Sequence, residues 1–291
     1  MTDAPRSVEV ARTGDIANER FAAIMRFPRR AALISGALVP VAAIVNLFVL
    51  KDISWPLFGV SVISALVTVL AVWNVANFSP TAIARLEALS SRVDGEFTLW
   101  KAGTGGYSGM PFAHGLEFER FGMLSYARHG MPVEIGHLSS RLNARARAPM
   151  GRRHAYVVIR LPERLPHMIV SFGHLSQILG ARVVPDQWHR SQLVKLEVAP
   201  RFRLFVGDGG EQLARSFFTP DVVRMFQRVG RFYDVEMKGR DLYLFSSRSA
   251  AAGTERRWNG QRELIERLAA TMTGSDIWDL VRDQSREHGP G

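Results

Sequence analysis

The sequence predicts an α+β protein in which an N-terminal two-helix transmembrane hairpin precedes a mostly antiparallel sheet domain with packed helices. Three observations support this prediction: two long uncharged segments near the N-terminus, short alternating apolar segments typical of strands after residue 116, and amphipathic helical patterns between those strands. The chain has 291 residues and a formal net charge of +10. This length allows one or two domains, each with a substantial core.

The predicted membrane segments are residues 31–50 and 56–77, neither of which contains a charged side chain. At about 1.5 Å per residue, each is long enough to cross the roughly 30 Å hydrocarbon core of a bilayer. Neither has the polar face that a helix of a soluble protein normally shows, although a buried soluble hairpin is the alternative. Because only five residues separate them, including Lys51 and Asp52, we expect two antiparallel neighbouring helices joined by a turn.

Basic residues flank the hairpin on both sides, whereas the turn between its helices has no net charge. Three arginines lie between residues 26 and 30, and Arg85 and Arg92 follow the second segment, whereas Lys51 and Asp52 cancel each other. The positive-inside rule therefore predicts a two-pass protein of the cytoplasmic (inner) cell membrane of a bacterium, with both termini in the cytoplasm.

The same patterns divide the chain into five predicted parts. They are a cytoplasmic N-terminal segment (1–30), the transmembrane hairpin (31–78), a juxtamembrane helix with a glycine-rich linker (79–115), a cytoplasmic α+β domain (116–274) and a C-terminal tail (275–291). Ser79 and Pro80 are typical of the start of the juxtamembrane helix. The glycine-rich stretch 103–109 lacks the Lys-Ser/Thr of a phosphate-binding loop and the G-x-S-x-G of a nucleophile elbow, so we interpret it as a flexible loop.

Short strands and two amphipathic helices are predicted within residues 116–274. The predicted elements are two strands turning near His129 and Gly130, a strand over 154–161, a separate strand over 167–172, a strand over 201–206, a helix beginning at Thr219 and Pro220, a hairpin whose turn is Lys238–Asp241, and a helix over 259–272. In the strand over 154–161, the alternation places Ala155, Val157, Ile159 and Leu161 on one face and Tyr156 and Val158 on the other.

The run FRLFVGDGGEQLARSFFTPDVVRMFQ, residues 202–227, followed by a segment ending in DLYLF, resembles a bacterial domain-of-unknown-function family of two-pass membrane proteins with a cytoplasmic α+β domain. In that family an aromatic-rich strand, a turn, an Ala-containing segment and a Thr-Pro helix start recur behind two N-terminal spans. The residues that carry the resemblance are Phe202, Phe205, Val206, Ala214, Thr219, Pro220 and Tyr243. The resemblance implies a membrane-anchored cytoplasmic domain and implies no activity.

Histidines are the main candidates for a chemical site, because the chain has no cysteine and therefore no thiolate. His137, His154 and His167 lie in or beside predicted strands, where they are either sheet-face residues or, if they converge near a carboxylate, a metal or hydrolytic site. Asp186 and His189 flank Trp188 in what we interpret as a turn. With no catalytic signature, the sequence predicts that the chain is not an enzyme and has no cofactor.

The most distinctive charge pattern in the sequence is an arginine-rich stretch. It contains five arginines and no acidic residue within thirteen positions: Arg141, Arg145, Arg147, Arg152 and Arg153. One interpretation is a solvated connection between strands, and the other is a contact surface for anionic lipid headgroups of the inner leaflet. Nucleic acid is disfavoured because no aromatic residues are interleaved with the arginines.

Together, these sequence features predict a membrane-anchored interaction or scaffold module. Its expected partners are the lipid bilayer, anionic lipid headgroups and an unidentified protein. The alternative prediction is a membrane-tethered hydrolase or metal-dependent enzyme with a histidine-containing site in the sheet domain.

Overall fold

A computed structural model of the chain describes most of its C-terminal part. The described ranges are 80–113, 117–141, 152–171, 193–199, 202–207, 209–229, 233–246, 254–273, and single positions or short runs at 59, 63, 251, 278–279 and 281–283. Apart from Gly59 and Ile63, the predicted transmembrane hairpin lies outside these residues. Among the described residues, no helix has both the length and the apolar character needed to cross a membrane.

The described residues form an α+β fold with an antiparallel sheet, as the sequence predicts. Its elements are α1 (Pro80–Val93), β1 (Glu96–Ala102), α2 (Met110–Ala113), β2 (Glu117–Arg128), β3 (Met131–Arg141), β4 (Arg152–Ser171), β5 (Val194–Ala199), β6 (Phe202–Val206), α3 (Glu211–Phe217), α4 (Pro220–Val229), β7 (Asp234–Ser246) and α5 (Glu255–Met272). The predicted turn at His129 and Gly130 is confirmed, because β2 and β3 form a hairpin around it.

Strand β4, twenty residues long, organises the sheet. On one side, β7 pairs with it from Ala155 to Val170. On the other side, β3 pairs with the first part of β4 and β6 with its last residues, Met168–Ser171. The sheet therefore branches at β4, with β3, β2 and β1 beside one half and β6 and β5 beside the other.

Two strand predictions are wrong in the same place. The predicted hairpin turn at Lys238–Asp241 is part of the continuous strand β7, and the predicted strands over 154–161 and 167–172 are the single strand β4. The register between β4 and β7 shifts on both sides of Leu165. These shifts accommodate Pro162 and Pro166, which cannot donate to a ladder, and Gly239 with its φ of +61°. The proline and glycine residues that are typical of turns therefore mark an irregularity inside a long pair of strands.

The main core lies between one face of the sheet and the helices α1, α3, α4 and α5. Helix α4 begins as predicted, because the Thr219 Oγ1 accepts the Val222 N–H at 3.4 Å and Pro220 occupies the first helical position. Its predicted apolar stripe is buried in this core, from Val222 to Val229. Helix α5 begins four residues earlier than predicted, where Thr254 accepts the Arg257 N–H.

A second, smaller core lies on the opposite face of the sheet. It combines sheet residues such as Tyr156 and Tyr243 with Met110 and Phe112 of α2. Residues 103–113, termed the strap, therefore run across this face. In the stretch 103–109, interpreted from the sequence as a flexible loop, Tyr107 packs against this core and Gly109 is buried, while β1 before it is an edge strand paired with β2. Gly109 permits the close approach, because a Cβ there would lie 2.9 Å from the Tyr243 ring.

Candidate functional site

The strap covers a buried polar cluster contributed by three neighbouring strands. Arg120 of β2 donates from Nη1 to Glu134 Oε1 of β3 at 2.8 Å, and the Tyr156 hydroxyl of β4 donates to the same oxygen at 2.6 Å. The three residues share a face because β2, β3 and β4 are paired and side chains alternate along each strand. Gly136 leaves room for Tyr156, since a Cβ there would lie 2.7 Å from the hydroxyl oxygen.

The strap closes over this cluster through two contacts with Arg120. The guanidinium carbon lies 5.6 Å from the centroid of the Tyr107 ring, which is within the range of a cation–π interaction. On the strap itself, a Cβ at Gly105 would lie 2.4 Å from the guanidinium, so a side chain at this position would displace the head of Arg120. Gly105 also has a φ of +72°, a conformation that glycine adopts without strain.

Burial keeps the tyrosines of this cluster neutral. It raises the pKa of Tyr156 well above its usual value, and the adjacent Glu134 carboxylate raises it further. Burial and the same carboxylate also raise the pKa of Tyr107. Neutral phenols are donors rather than nucleophiles or bases near neutral pH. The cluster is therefore suited to holding the strap in place.

Besides the Arg120 contacts, a second anchor joins the strap to the first part of β7. Glu236 is 1% exposed; its Oε2 accepts the Met110 N–H at 2.6 Å, and its Oε1 lies 2.8 Å from His167 Nε2. Met110 is the first residue of α2, whose backbone N–H has no acceptor within its own helix. The buried carboxylate thus supplies the acceptor that the start of α2 needs.

A third anchor involves Tyr243 and Lys238. The Tyr243 hydroxyl accepts the Ser108 N–H at 3.2 Å and donates to Asp241 Oδ2 at 3.1 Å. Lys238 Nζ donates to the Ser108 carbonyl at 3.1 Å. Burial raises the pKa of Tyr243 to about 12, so its hydroxyl remains protonated and able to donate. Both the N–H and the C=O of Ser108 are held by side chains of β7.

The three histidines singled out from the sequence do not converge. His154 faces the strap side, because it pairs with Leu138, a residue of the second core. His137, one position from Leu138, faces the opposite side, stacks on Phe121 at 5.2 Å and lies 3.2 Å from the Phe121 carbonyl oxygen through Nδ1. His167 is thirteen residues further along β4, beside Glu236.

Within the part of the chain that the structure describes, no group of three or more His, Asp or Glu residues is placed to hold a metal ion. The predicted turn with Asp186, Trp188 and His189 lies outside the described residues.

The buried His137 is expected to make the stability of the fold decrease at acidic pH. Burial lowers its pKa to about 4, whereas an unfolded histidine titrates near 6.5. Its contribution to stability is therefore fully present above pH 6.5 and is lost as the pH falls through about 4, which amounts to about 2.5 kcal/mol by pH 4.5. We expect urea unfolding of the purified chain to show this loss of stability, and His137→Gln to make the pH dependence flatter.

The control for this prediction is His129→Asn at the exposed β2–β3 turn, where Asn tolerates the left-handed conformation of φ 50°. This variant should follow the pH dependence of the parent chain. An equally steep loss of stability in His137→Gln would assign the acid sensitivity to another group.

The arginine-rich stretch is described only at its two ends. Arg141 is the last residue of β3, and Arg152 and Arg153 are the first residues of β4, paired with Ser140 and Ser139. The backbone therefore places these three arginines at one end of the β3–β4 pair. Arg145 and Arg147 lie outside the described residues, and contact with anionic lipid stays a prediction.

A surface feature that sequence analysis did not single out is a groove of about 580 Å³ between α4 and α5. Half-buried Met225 and Leu264 form its floor, and exposed arginines from both helices line its edges. The helical spacing of these residues is visible in the sequence, but the pairing of the two helices is not. This feature is termed the α4–α5 groove.

The fold and these features define an α+β domain built on a branched antiparallel sheet with a strap over one face. No protein-family model and no curated protein matches the sequence. The crystal structure of the mycobacterial trehalose monomycolate transport factor A is similar with a TM-score of 0.42 and 6% identity, over 66% of this chain and 94% of that one. A likeness this weak carries no argument about the present chain.

Proposed function

We propose that the chain is a membrane-anchored interaction module, in which residues 31–78 span the bilayer and the α+β domain binds a protein partner. One observation carries the interaction part of this proposal. Beneath the strap, Arg120 and Tyr156 donate to Glu134 and Glu236 accepts from the strap, whereas the α4–α5 groove is open and combines an apolar floor with charged edges. Such a surface suits binding more than catalysis.

Two observations support the proposed membrane anchor: the two uncharged segments and one residue within the second of them. Ile63, in the predicted second span, is helical, and its side chain is 63% exposed. A large apolar side chain on the outside of a helix is stable in contact with lipid hydrocarbon. The arginines on both flanks support cytoplasmic termini.

The His167–Glu236 pair favours a second candidate function. An imidazole oriented by a buried carboxylate is a common arrangement for a general base, and the His167 side chain is 21% exposed. We propose hydrolysis as the alternative activity on this ground. However, Glu236 also accepts the Met110 N–H, which gives the pair a structural role in holding the strap.

Membrane fractionation and reporter fusions test whether residues 31–78 anchor the chain in the membrane. We expect the full chain to resist alkaline extraction from membranes and deletion of residues 31–78 to release it. A fluorescent reporter fused after Gly291 should be active, whereas alkaline phosphatase at the same position should not. Release of the full chain by alkali, or phosphatase activity outside the cell, would refute the proposed topology.

Photo-crosslinking tests the interaction. A photoreactive residue at exposed positions of the helices, for example at Arg215 of α3 or Gln227 of α4, should give a covalent adduct with another protein in intact cells. An anchored chain that gives no adduct at any exposed position of the domain would contradict a role as an interaction module.

A further inference from the structure

Two helices present matched exposed stripes at the α4–α5 groove. From α4 the groove is lined by residues at 221, 224, 225 and 228, and from α5 by residues at 260, 263, 264, 267, 270 and 271. Residues three and four positions apart lie on one face of a helix, so each set forms a continuous stripe. A third helix lying along the two stripes would contact both, as in other cases where a helix binds in a groove.

The floor of the groove is apolar and allows a close approach. Met225 and Leu264 are only half-buried although they pack against the main core. Gly260 and Ala270 are exposed, and nothing lies within 4 Å of the position that a Gly260 Cβ would occupy. The stripe on α5 runs from residue 260 to residue 271, twelve residues covering about 16 Å, which matches a bound helix of three turns. A methionine on the floor can adapt to the shape of the bound side chains.

The charges of the groove favour an acidic partner. Arg224 pairs with Asp221, and Arg267 pairs with Glu263, each within one helix, so these four charges cancel and Arg228 gives the lining of the groove a net charge of +1. Arg228 lies one turn beyond Arg224 on the same face, and the α4 residues three and four positions before it are Met225 and Arg224. Like charges at this spacing destabilise a helix by a few tenths of a kcal/mol, a cost that a carboxylate from a partner would offset.

We infer that the α4–α5 groove binds an amphipathic helix of a protein partner, with its apolar stripe on Met225 and Leu264 and its acidic residues beside Arg224, Arg228 and Arg267. This inference rests on the proposed interaction function and adds the binding site and the chemistry of the partner. Arginine at the edge provides charge steering, and the apolar floor provides buried area.

Designed peptides test the chemistry of the partner. The probe is a labelled 14-residue helical peptide with Leu at positions i, i+3, i+4 and i+7 and Glu on both sides of this stripe, compared with the same peptide carrying Lys for Glu. We expect the acidic peptide to bind the detergent-solubilised full chain at least tenfold more tightly at low salt. Equal binding of the two peptides would overturn the inference.

Variants test the position of the site. Arg228→Glu should weaken binding of the acidic peptide about fivefold, and Gly260→Trp should block it by filling the groove without altering charge. Arg215→Glu on α3 is the matched control, because Arg215 is exposed and does not line the groove. Unchanged binding in Arg228→Glu and Gly260→Trp, or an equal loss in Arg215→Glu, would place the peptide elsewhere.

A photoreactive residue at Ala270 identifies the natural occupant. We expect an adduct with a different protein, which Arg228→Glu reduces and Gly260→Trp abolishes. An adduct with a second copy of the chain, or with its own residues 1–30, would overturn the inference. Adducts at Arg215 or Gln227 but none at Ala270 would overturn the groove assignment and leave the proposed function standing, whereas no adduct at any position would contradict both.

Discussion

Replacing Glu236 by Ala is expected to lower the free energy of unfolding by about 3 kcal/mol and to release the strap. The carboxylate is buried and serves Met110 N–H and His167 Nε2 together. Its removal leaves a buried backbone donor without an acceptor and leaves a cavity beneath α2. Loss of one partner of a buried charged hydrogen bond typically costs several kcal/mol, because the other partner remains desolvated.

Hydrogen exchange distinguishes strap release from general destabilisation. In Glu236→Ala, amides of residues 103–113 should exchange faster than those of β4, whereas a uniform change would reflect global unfolding alone. Glu96→Ala on the exposed edge strand β1 is the matched control and should leave both exchange and urea unfolding unchanged. A Glu236→Ala chain with native protection of the strap would show that the other two anchors suffice.

Replacing Arg120 by Met is also expected to cost about 3 kcal/mol. Arg120 is 4% exposed and pairs with Glu134, so the substitution leaves a largely buried carboxylate without this cation. It also removes the guanidinium that contacts Tyr107 and Gly105. The linear stem of Met occupies much of the volume of the Arg side chain, which separates the charge effect from the effect of a cavity.

A double variant provides the internal control for Arg120. Glu134→Gln removes the charge while its amide oxygen can still accept the Tyr156 hydroxyl, so Arg120→Met with Glu134→Gln should recover part of the stability that Arg120→Met loses. Urea unfolding of the four chains of the cycle gives the coupling energy. A coupling near zero would show that the cost arises from lost packing and not from the uncompensated carboxylate.

Local patterns predicted the elements whose pairing is local. Thr219 and Pro220 marked the start of α4, and the β2–β3 turn at His129 and Gly130 was visible in the residue types. The hairpin turn predicted at Lys238–Asp241 was wrong because Gly239 is compatible with both a hairpin turn and an irregularity within a strand. The partner that decides between them is β4, far away in the chain, where the matching register shift occurs.

The residues of the candidate site were harder to predict. Arg120, Glu134 and Tyr156 come from three strands, and the strap that covers them arrives from outside the predicted sheet domain. Charged residues between apolar ones in a strand are a signal of a polar cluster, but they do not identify its partner. The histidines offered a more familiar chemical pattern, yet alternation along β3 places His137 on the face opposite His154.

The long strand β4 has a consequence for the order of folding. It pairs Val170 with Val235 and Ala155 with Ser246, so its ladder with β7 closes a large loop, whereas the β2–β3 hairpin closes a short one. Non-local pairing of this kind slows folding. Among the described strands, β7 is synthesised last, and Glu236 and Tyr243, which hold the strap, are part of it. Two of the three contacts that hold the strap on the aromatic face of the sheet therefore form only after β7 has been synthesised.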